Sequence, residues 1–594
     1  MDNYIFNPLN NKNPKGASKA GSGVVYTLKV SHSVDFTDIF FVLIDDKSSD
    51  LPYRIKMPLI SDSGNYYTYE ISLQFDNAGL FWYYFEIQQS NGSFYLCKSQ
   101  GFNAEAFPDV RQSFAQVVFE SESTVDKEIN RGIIYHIFVD RFKKSGSVIA
   151  KDGMILRTDW GGELTKNSNN FTELNQECFG GNLQGIIDKL DYIKSLGTSM
   201  VYLSPIFESY SNHKYDTADF EHVDSMFGGD ETFDALMKAA SAEKINIVLD
   251  GVFNHVGSDS IYFNKLGRFN ETGAFGSRDS KYYNWFMFDD WPLKYSSWWG
   301  IETLPQLNES DGKLQNFIAG PDGIVTKWME KGIAGFRLDV VDELNDVYLD
   351  KICKRIKSVK PDALILGEVW EDAATKIAYG KRRSYFLGHQ LNSVTNYPLR
   401  NAIIDFVCNG NAETLEDVFC MMEDHYPTWV RNNLMNFLGS HDTKRILSVL
   451  QEKDDKNAIQ LLKIASAIQY CAPGIPAVFY GDEIGLKGGD APLCRVCYPW
   501  GQENKEILDW YKRLGELRRH EVFISGNCKV ILAHAKVFIF ERTHKNSRII
   551  VAANCGNEDF KLNLSTSFKD FETGKVVKDF VSLRPLQFVI LFAV

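Results

Sequence analysis

The sequence lacks an apolar run long enough to cross a bilayer. Its C-terminal apolar run, Phe588 to Val594, has seven residues, whereas a membrane-spanning helix needs about twenty. The 594-residue chain also lacks a surplus of positive charge, because its net charge is −13 at pH 7. A general binder of nucleic acid or anionic membranes needs a basic face. We therefore expect no nucleic acid and no membrane among its partners.

An apolar leader and a disulfide framework are missing as well. Residues 1–23 are polar and rich in Gly, Asn and Lys, which argues against a secretory signal and predicts a flexible N-terminal arm. The ten cysteines are scattered along the chain, as is typical of reduced thiols. Cys494 and Cys497 form a lone CxxC without the two further ligands of a structural zinc site. These features predict a cytoplasmic protein.

What is present divides the rest of the chain into three parts. Residues 24–125 alternate aromatic and β-branched runs with turn-like clusters, which is typical of a β-sandwich. Residues 126–519 alternate buried strands with amphipathic helices and carry a long aromatic insert at 256–322. Residues 520–594 return to short strands. We predict an α/β fold: a (β/α)8 TIM barrel with an inserted loop domain after strand 3, flanked by the N-terminal β-sandwich and a C-terminal antiparallel β domain.

Polar side chains follow several of the predicted barrel strands. The eight strands are predicted near residues 133, 199, 245, 333, 363, 391, 434 and 476. The polar residues at the ends of the third, fourth, fifth and seventh of them are Asp250, Asn254, His255, Arg337, Asp339, Glu368, His441 and Asp442. Active sites of this fold lie at the carboxyl ends of the strands. We therefore expect these side chains to converge on one rim.

Two of these carboxyl groups suit glycosidic chemistry. Retaining glycosidases place a nucleophilic carboxylate about 5–5.5 Å from a carboxyl group that donates a proton. Arg337 and Asp339 are two residues apart on a strand, so they point to the same side, and the guanidinium should lower the pKa of Asp339. Glu368 precedes Val369 and Trp370, an apolar setting that should raise its pKa. The pattern predicts Asp339 as nucleophile and Glu368 as proton donor.

Four segments resemble, in order and spacing, the signature regions of the α-amylase family, glycoside hydrolase family 13. They are LDGVFNH (249–255), GFRLDVVDE (335–343), GEVW (367–370) and FLGSHD (437–442). A fifth segment, LPQLN (304–308), is similar to the MPKLN region of the neopullulanase, cyclomaltodextrinase and maltogenic amylase branch. The resemblance covers about residues 131–594, and the N-terminal β domain resembles the starch-binding-type domain of that branch.

The resemblance implies roles for individual residues. It makes Asp339 the nucleophile, Glu368 the acid/base and Asp442 the stabiliser of the transition state. It also implies a set of substrate-binding residues, namely Tyr215, Asp250, His255, Arg337, Trp370, His441 and Arg495. Tyr215 should stack under the sugar at the cleavage site, and Trp370 should form a wall on the leaving-group side. Members of the branch often form homodimers through the N-terminal domain, so a homodimer is implied here.

Two departures from the branch bear on ligands. Lys143 and Lys144 follow DRF where relatives often carry a calcium loop, and lysines are poor neighbours for a cation that prefers oxygen ligands. We expect no required cofactor, with calcium elsewhere still a candidate and the metal ligands unknown. Ala491 stands where the branch has the Asp of its Asp-Pro-x-x-Arg substrate loop, so only Arg495 is carried over from that loop.

These features predict a retaining α-glucan hydrolase that cleaves α-1,4 bonds in maltooligosaccharides, cyclodextrins, starch or pullulan. One alternative keeps the same site in an α-glucan transglycosylase or an α-glucosidase-type enzyme. A remote alternative is a non-catalytic α-glucan-binding protein, which should have lost at least one catalytic carboxylate, whereas all three are present. The sequence leaves open the preferred glucan, endo or exo action and the cleavage of α-1,6 bonds.

Overall fold

The computed structural model describes residues 3–48, 51–164 and 175–594. The N-terminal part contains two facing antiparallel sheets. The strands of the first are Tyr4–Ile5, Lys12–Asn13, Ser22–Ser31, Leu59–Ser63 and Tyr66–Phe75. Those of the second are Ser18–Lys19, Asp38–Asp45, Tyr53–Lys56, Gly79–Gln89, Gly92–Lys98, Ala104–Phe107 and Phe114–Phe119. Alternate residues of Ser22–Ser31, such as Tyr26 and Leu28, are fully buried against Phe41 and Phe85. The predicted β-sandwich is present.

The prediction of a flexible arm over residues 1–23 is wrong for the part that the structure describes. Tyr4–Ile5 and Lys12–Asn13 both pair antiparallel with Ser22–Ser31. The side chain of Phe6 is 2% exposed in the core, and Lys12 Nζ lies 2.5 Å from Asp424 Oδ1 in a fully buried ion pair. Backbone pairing and a few anchoring side chains therefore hold a segment that is polar in composition.

The central part is the predicted eight-stranded parallel barrel. In chain order its strands are Ile133–Ile137, Thr198–Leu203, Asn246–Gly251, Gly335–Leu338, Leu364–Gly367, Ser393–Val394, Met435–Phe437 and Ile475–Phe479. Each strand pairs with its sequence neighbour except the sixth with the seventh, and the eighth also pairs with the first. A single parallel bridge between Thr395 and Met435 links the sixth strand to the seventh. These strands are buried on both faces, which explains their continuous apolar runs.

Helices cover the outside of the barrel. The longer ones are Gly229–Ala242, Asp346–Val359, Tyr397–Asn409, Ala412–His425, Ile446–Asp454, Ala458–Cys471 and Lys505–Arg518, with shorter helices at Leu183–Ile187, Leu190–Ser195, Gly312–Ala319 and Ile324–Glu330. Gly197, with φ +79, ends the segment before the second strand, because glycine adopts this left-handed conformation at a helix end without a steric cost. No helix in the described part of the chain is long and apolar enough to span a bilayer.

The insert lies across the carboxyl end of the barrel. It contains a short hairpin of Phe288–Asp290 and Lys294–Tyr295, and an isolated bridge joins His255 to Gln306. The insert therefore adds to the wall of any cavity at this end.

The C-terminal part forms the predicted antiparallel sheet. Its six strands are Asn527–His534, Val537–His544, Ser547–Asn554, Phe568–Asp570, Val576–Val577 and Gln587–Ala593, and Phe560–Asn563 pairs separately with Phe580–Leu583.

Candidate active site

The predicted polar residues meet at the carboxyl ends of the barrel strands. Asp250 and Arg337 are register partners on the third and fourth strands. The backbone N–H groups of Asp339 and Glu368 each donate to a carbonyl of the preceding strand, at 3.1 Å. This extends the barrel ladder by one residue and fixes the start of both side chains. A cavity of about 1130 Å³ opens above them.

Eight of the ten predicted site residues line this cavity. They are Tyr215, His255, Asp339, Glu368, Trp370, His441, Asp442 and Arg495. Asp250 and Arg337 lie beneath it and are almost fully buried. The structure therefore brings the whole predicted set together, in two layers.

A single guanidinium binds three of the carboxylates. Arg337 Nη1 lies 2.9 Å from Asp250 Oδ1 and 2.6 Å from Asp339 Oδ1, and Nη2 lies 2.9 Å from Glu368 Oε2. The Arg337 side chain is only 3% exposed. Asp250 also accepts hydrogen bonds from Tyr202 Oη at 2.5 Å and Tyr215 Oη at 3.0 Å. Because buried charges need partners, these groups fix one another in place.

The sequence-based expectation for the pKa of Asp339 is wrong. Burial raises the pKa of this carboxyl well above its usual range, and the nearby charges of Glu368 and Asp250 act in the same direction. Arg337 opposes the shift but does not overcome it. The reason is that one positive charge is shared among three acidic groups in a site with little water. The sequence argument considered Arg337 and Asp339 as an isolated pair.

Glu368 is held by polar contacts on both oxygens. Its Oε2 accepts the backbone N–H of Val340 at 2.9 Å, and its Oε1 accepts the indole N–H of Trp370 at 3.2 Å. With the Arg337 contact, this makes the predicted purely apolar setting of Glu368 wrong. Val340 has φ +38, a strained conformation for a β-branched residue. The two backbone segments that carry Asp339 and Glu368 are thus joined directly.

Asp442 lies in a different electrostatic setting. Its Oδ1 is 3.2 Å from Arg495 Nη2, and its Oδ2 is 2.9 Å from His441 Nε2. Burial works to raise the pKa of Asp442, but His441 and Arg495 outweigh it and hold that pKa well below its usual range. The cavity therefore places one carboxylate held by His441 and Arg495 beside the pair that shares Arg337.

Two aromatic pairs line the cavity near these carboxylates. The ring of Tyr215 stacks on His441 at 5.3 Å between centroids, and its hydroxyl lies 2.6 Å from His441 Nε2. His255 stacks on Trp298 at 5.2 Å. Burial lowers the pKa of His255 to about 4, so its ring is neutral at pH 7. Its buried Nε2 has no hydrogen-bond partner among the described residues, and the residue lines the cavity.

The outer wall of the cavity includes Trp370, as the sequence argument predicted, and also Tyr379, which that argument missed. Trp370 is 46% exposed and stacks on Tyr397 at 3.8 Å. Trp299 and Tyr379, at 76% and 72% exposure, both donate to Glu343 Oε1, at 3.1 and 2.5 Å. Gly380 was the available signal, since glycine is favoured in turns that need a positive φ.

The region after the first barrel strand is closed by its own hydrogen bonds. The carbonyls of Lys143 and Ser145 accept from Asn182 at 3.1 and 2.7 Å. Within the described residues, no three His, Cys, Asp or Glu side chains are arranged to hold a metal ion. A calcium site stays a prediction without assigned ligands.

Cys494 and Cys497 are buried free thiols whose pKa values burial raises to about 11 and 12.

Comparison with known proteins agrees with this arrangement. The alpha-amylase catalytic domain family matches residues 136–516. An amylopullulanase from Thermoanaerobacterium saccharolyticum is 32% identical over 96% of this chain and 49% of its own length. A cyclomaltodextrinase from Thermoanaerobacter pseudethanolicus is 30% identical over 87% of both chains. A solved cyclomaltodextrinase superposes with a TM-score of 0.72 over 99% of this chain and 100% of its own, at 23% identity.

A (β/α)8 barrel with an Asp and a Glu at the carboxyl ends of neighbouring strands is consistent with the class of barrel enzymes that cleave glycosidic bonds. Within that class, the chain belongs to the α-amylase family of glycoside hydrolases. The chain spans about half the length of the amylopullulanase it matches.

Proposed function

We propose that the protein is a retaining α-glucan hydrolase that cleaves α-1,4 bonds in maltooligosaccharides, cyclodextrins, starch or pullulan. The observation that supports this most is the shared guanidinium, because Arg337 contacts Asp339 and Glu368 at once, at 2.6 and 2.9 Å. A nucleophile and a proton donor that face one cavity are what a double displacement needs. The names of the relatives, an amylopullulanase and a cyclomaltodextrinase, support an α-glucan as substrate.

In the proposed first step the proton of the pair lies on Glu368, and a carboxylate oxygen of Asp339, which Arg337 contacts at 2.6 Å, attacks the anomeric carbon. Glu368 gives its proton to the glycosidic oxygen, so the leaving sugar departs as an alcohol and a glycosyl-enzyme ester forms. In the second step, Glu368 takes a proton from water, and the water oxygen attacks the same carbon. The ester breaks, Asp339 is released as a carboxylate, and two inversions give overall retention.

The remaining site residues would bind the sugar during both steps. The unpartnered Nε2 of His255 and the carboxylate of Asp442 suit sugar hydroxyls, and Tyr215 offers a stacking face between them. Asp250 acts through Arg337 and Tyr215, which it contacts at 2.9 and 3.0 Å. Binding of a homodimer partner through the N-terminal domain stays a prediction.

The proposal predicts that Asp339→Asn lowers turnover by several orders of magnitude, because an amide is too weak a nucleophile to form the ester. Reducing-sugar release from maltoheptaose measures the effect, and circular dichroism checks that the fold persists. Asp191→Asn, the same substitution at an exposed helix residue, is the matched control. Near-wild-type turnover by Asp339→Asn would remove the assignment.

A time course of products on maltoheptaose, β-cyclodextrin, soluble starch and pullulan separates the hydrolase from its alternatives. Hydrolysis alone gives no product with more glucose units than the substrate at any time. Longer oligosaccharides that appear early identify a transglycosylase, and glucose as the sole initial product identifies an α-glucosidase-type enzyme. A protein that binds these glucans without product formation is a non-catalytic binder.

A further inference from the structure

A short hairpin forms part of the cavity wall. Its strands, Ile377–Ala378 and Lys381–Arg382, pair antiparallel around the turn Tyr379–Gly380, and both turn residues have left-handed backbone, with φ 51 and 75. Ala378 and Tyr379 line the cavity. Tyr379 lies at the tip of the hairpin, and its hydroxyl donates to the carboxylate of Glu343. The position of this two-residue turn therefore sets the shape of the cavity mouth.

The hairpin lies at the end of the cavity that would hold the leaving sugar. In the proposed reaction Glu368 protonates the oxygen of that sugar, so the sugar lies on the side of Glu368. Trp370, whose indole N–H donates to Glu368 Oε1 at 3.2 Å, marks this side. Lys376, directly before the hairpin, forms an ion pair with Glu371, the residue after Trp370. The hairpin and Trp370 thus belong to one connected stretch of wall.

The outer strand of the hairpin is held by the N-terminal β domain. Arg382 donates from Nε and Nη2 to the two oxygens of Asp46, both at 2.8 Å. Asp46 follows the strand Asp38–Asp45, and its backbone N–H donates to Leu80 O at 3.1 Å. Trp82 Nε1 donates to Asp46 Oδ1 at 2.8 Å. Asp46 is thus held through its backbone by Leu80 and through its carboxylate by Trp82. The same carboxylate binds Arg382, which lies 336 residues later in the chain.

This contact is charged and has the geometry of a strong ion pair. The Arg382 and Asp46 side chains are 20% and 14% exposed. Burial works to raise the pKa of Asp46, but the hydrogen bonds from Arg382 and Trp82 outweigh it and lower that pKa. Two parallel N–H···O bonds between a guanidinium and a carboxylate restrict orientation as well as distance. An isolated two-stranded hairpin is only marginally stable. The ion pair between Arg382 and Asp46 should therefore restrict the positions that Tyr379 at its tip can take.

We propose that the N-terminal β domain positions the leaving-sugar end of the cleft within its own chain, with Asp46 and Arg382 as positioning residues for the wall that Tyr379 forms. The inference rests on the proposed function, because it takes the α-glucan reaction as given. It assigns this domain a role in how tightly the leaving part of an α-glucan chain is bound, separate from any starch binding or dimerisation.

Docking of the two domains does not depend on this ion pair. Lys12 and Asp424 join the same two parts of the chain through a fully buried ion pair, and the backbone N–H of Gly101 donates to Asp417 Oδ1 at 2.6 Å. Both contacts lie on the helix Ala412–His425 and involve neither Asp46 nor Arg382. Loss of the Asp46 carboxylate should therefore release the hairpin while the domains stay in contact.

The test compares two substrates on the full chain. Maltoheptaose places sugar at the leaving end, whereas 4-nitrophenyl α-maltoside places nitrophenol there. Asp46→Asn should raise KM for maltoheptaose roughly fivefold, the factor that corresponds to an ion pair of about 1 kcal/mol. It should leave kcat/KM for the nitrophenyl substrate within about twofold. Arg382→Met should give the same split, and adding Asp46→Asn to it should change nothing further.

Glu86→Gln is the matched control. Glu86 forms an equivalent two-bond ion pair with Arg54, at 2.6 and 3.1 Å, within the same domain but away from the hairpin. It should leave both substrates unaffected. Equal losses on both substrates, or no loss on maltoheptaose, for Asp46→Asn and Arg382→Met would overturn the inference. A wild-type chain that cleaves neither substrate would instead refute the proposed function. Thermal unfolding of each variant shows whether either substitution disrupts the fold.

Discussion

The floor and the outer wall of the cavity are built by different means. The floor consists of Asp250, Arg337, Asp339 and Glu368, which stand on or directly after barrel strands and are all less than 10% exposed. The wall includes Trp299 and Tyr379, which stand on short hairpins or turns and are more than 70% exposed. Floor residues are fixed by strand register and by one another, whereas wall residues depend on contacts between distant segments.

This difference separates chemistry from substrate selection. A site whose charges are mutually paired and buried holds its geometry closely, as proton transfer and nucleophilic attack need. Exposed aromatic rings on short turns can be changed without disturbing the barrel. Changes to the floor should therefore alter kcat, and changes to the wall should alter KM.

The largest effect should come from Glu368→Gln on the floor. Loss of the proton donor should lower kcat for maltoheptaose about 10²–10⁴-fold, the range of general acid catalysis. The loss should be smaller for formation of the glycosyl-enzyme from 4-nitrophenyl α-maltoside, since nitrophenolate leaves without a proton. Pre-steady-state release of nitrophenol measures that step. An equal loss on both substrates would argue against Glu368 as the proton donor.

A second effect tests Glu309, which links the insert to the segment that follows the fourth barrel strand. Glu309 Oε2 accepts the N–H of Asn345 at 2.6 Å, and Asn345 caps the helix Asp346–Val359. Burial raises the pKa of Glu309 from 4.5 to about 7. The folded chain therefore binds this proton more tightly than the unfolded chain does, and stability should fall as pH rises from 4.5 to about 7.

Glu309→Gln should remove this part of the pH dependence. The expected difference is roughly 3 kcal/mol in the free energy of unfolding between the two ends of the window. Urea denaturation at pH 4.5 and pH 8 measures it, and Glu330→Gln, at an exposed helix end, serves as control. If wild type and Glu309→Gln show the same pH dependence, the carboxyl of Glu309 does not titrate in this window.

The smallest effect should come from the wall. Tyr379→Phe removes one hydrogen bond to Glu343 and keeps the ring, so KM for maltoheptaose should rise less than about fivefold. Its kcat should be unchanged. Steady-state kinetics gives both values, and Tyr53→Phe, an exposed tyrosine on the N-terminal sheet, should change neither. A fall in kcat beyond tenfold would contradict the separation of floor and wall.

The barrel and the residues of the floor could be predicted from the sequence, because both follow from patterns within short segments of the chain. Strand period and motif order place Arg337 beside Asp339 and put Glu368 on the next strand, and register then determines the contacts. The pKa of Asp339 was not predictable in this way, because it depends on how many carboxylates share Arg337. That number follows from three strands that are distant in sequence.

The contacts that hold the hairpin of the wall and the N-terminal arm escaped prediction for a related reason. Nothing near Arg382 in the sequence points to Asp46, and nothing near Lys12 points to Asp424. Composition suggested a mobile segment for residues 1–23, whereas pairing with Ser22–Ser31 orders the part of it that the structure describes. Contacts of this kind depend on tertiary structure and leave no periodic pattern.

The buried ion pair of Lys12 also has a consequence for synthesis. Its partner Asp424 lies 412 residues later, so a ribosome that adds 5–20 residues per second delivers that partner roughly 20–80 s after Lys12. Until then Lys12 lacks this partner, and its ammonium group stays in water rather than in the fully buried position of the finished protein. The strands around Lys12 thus reach their final contacts only after most of the barrel has been translated.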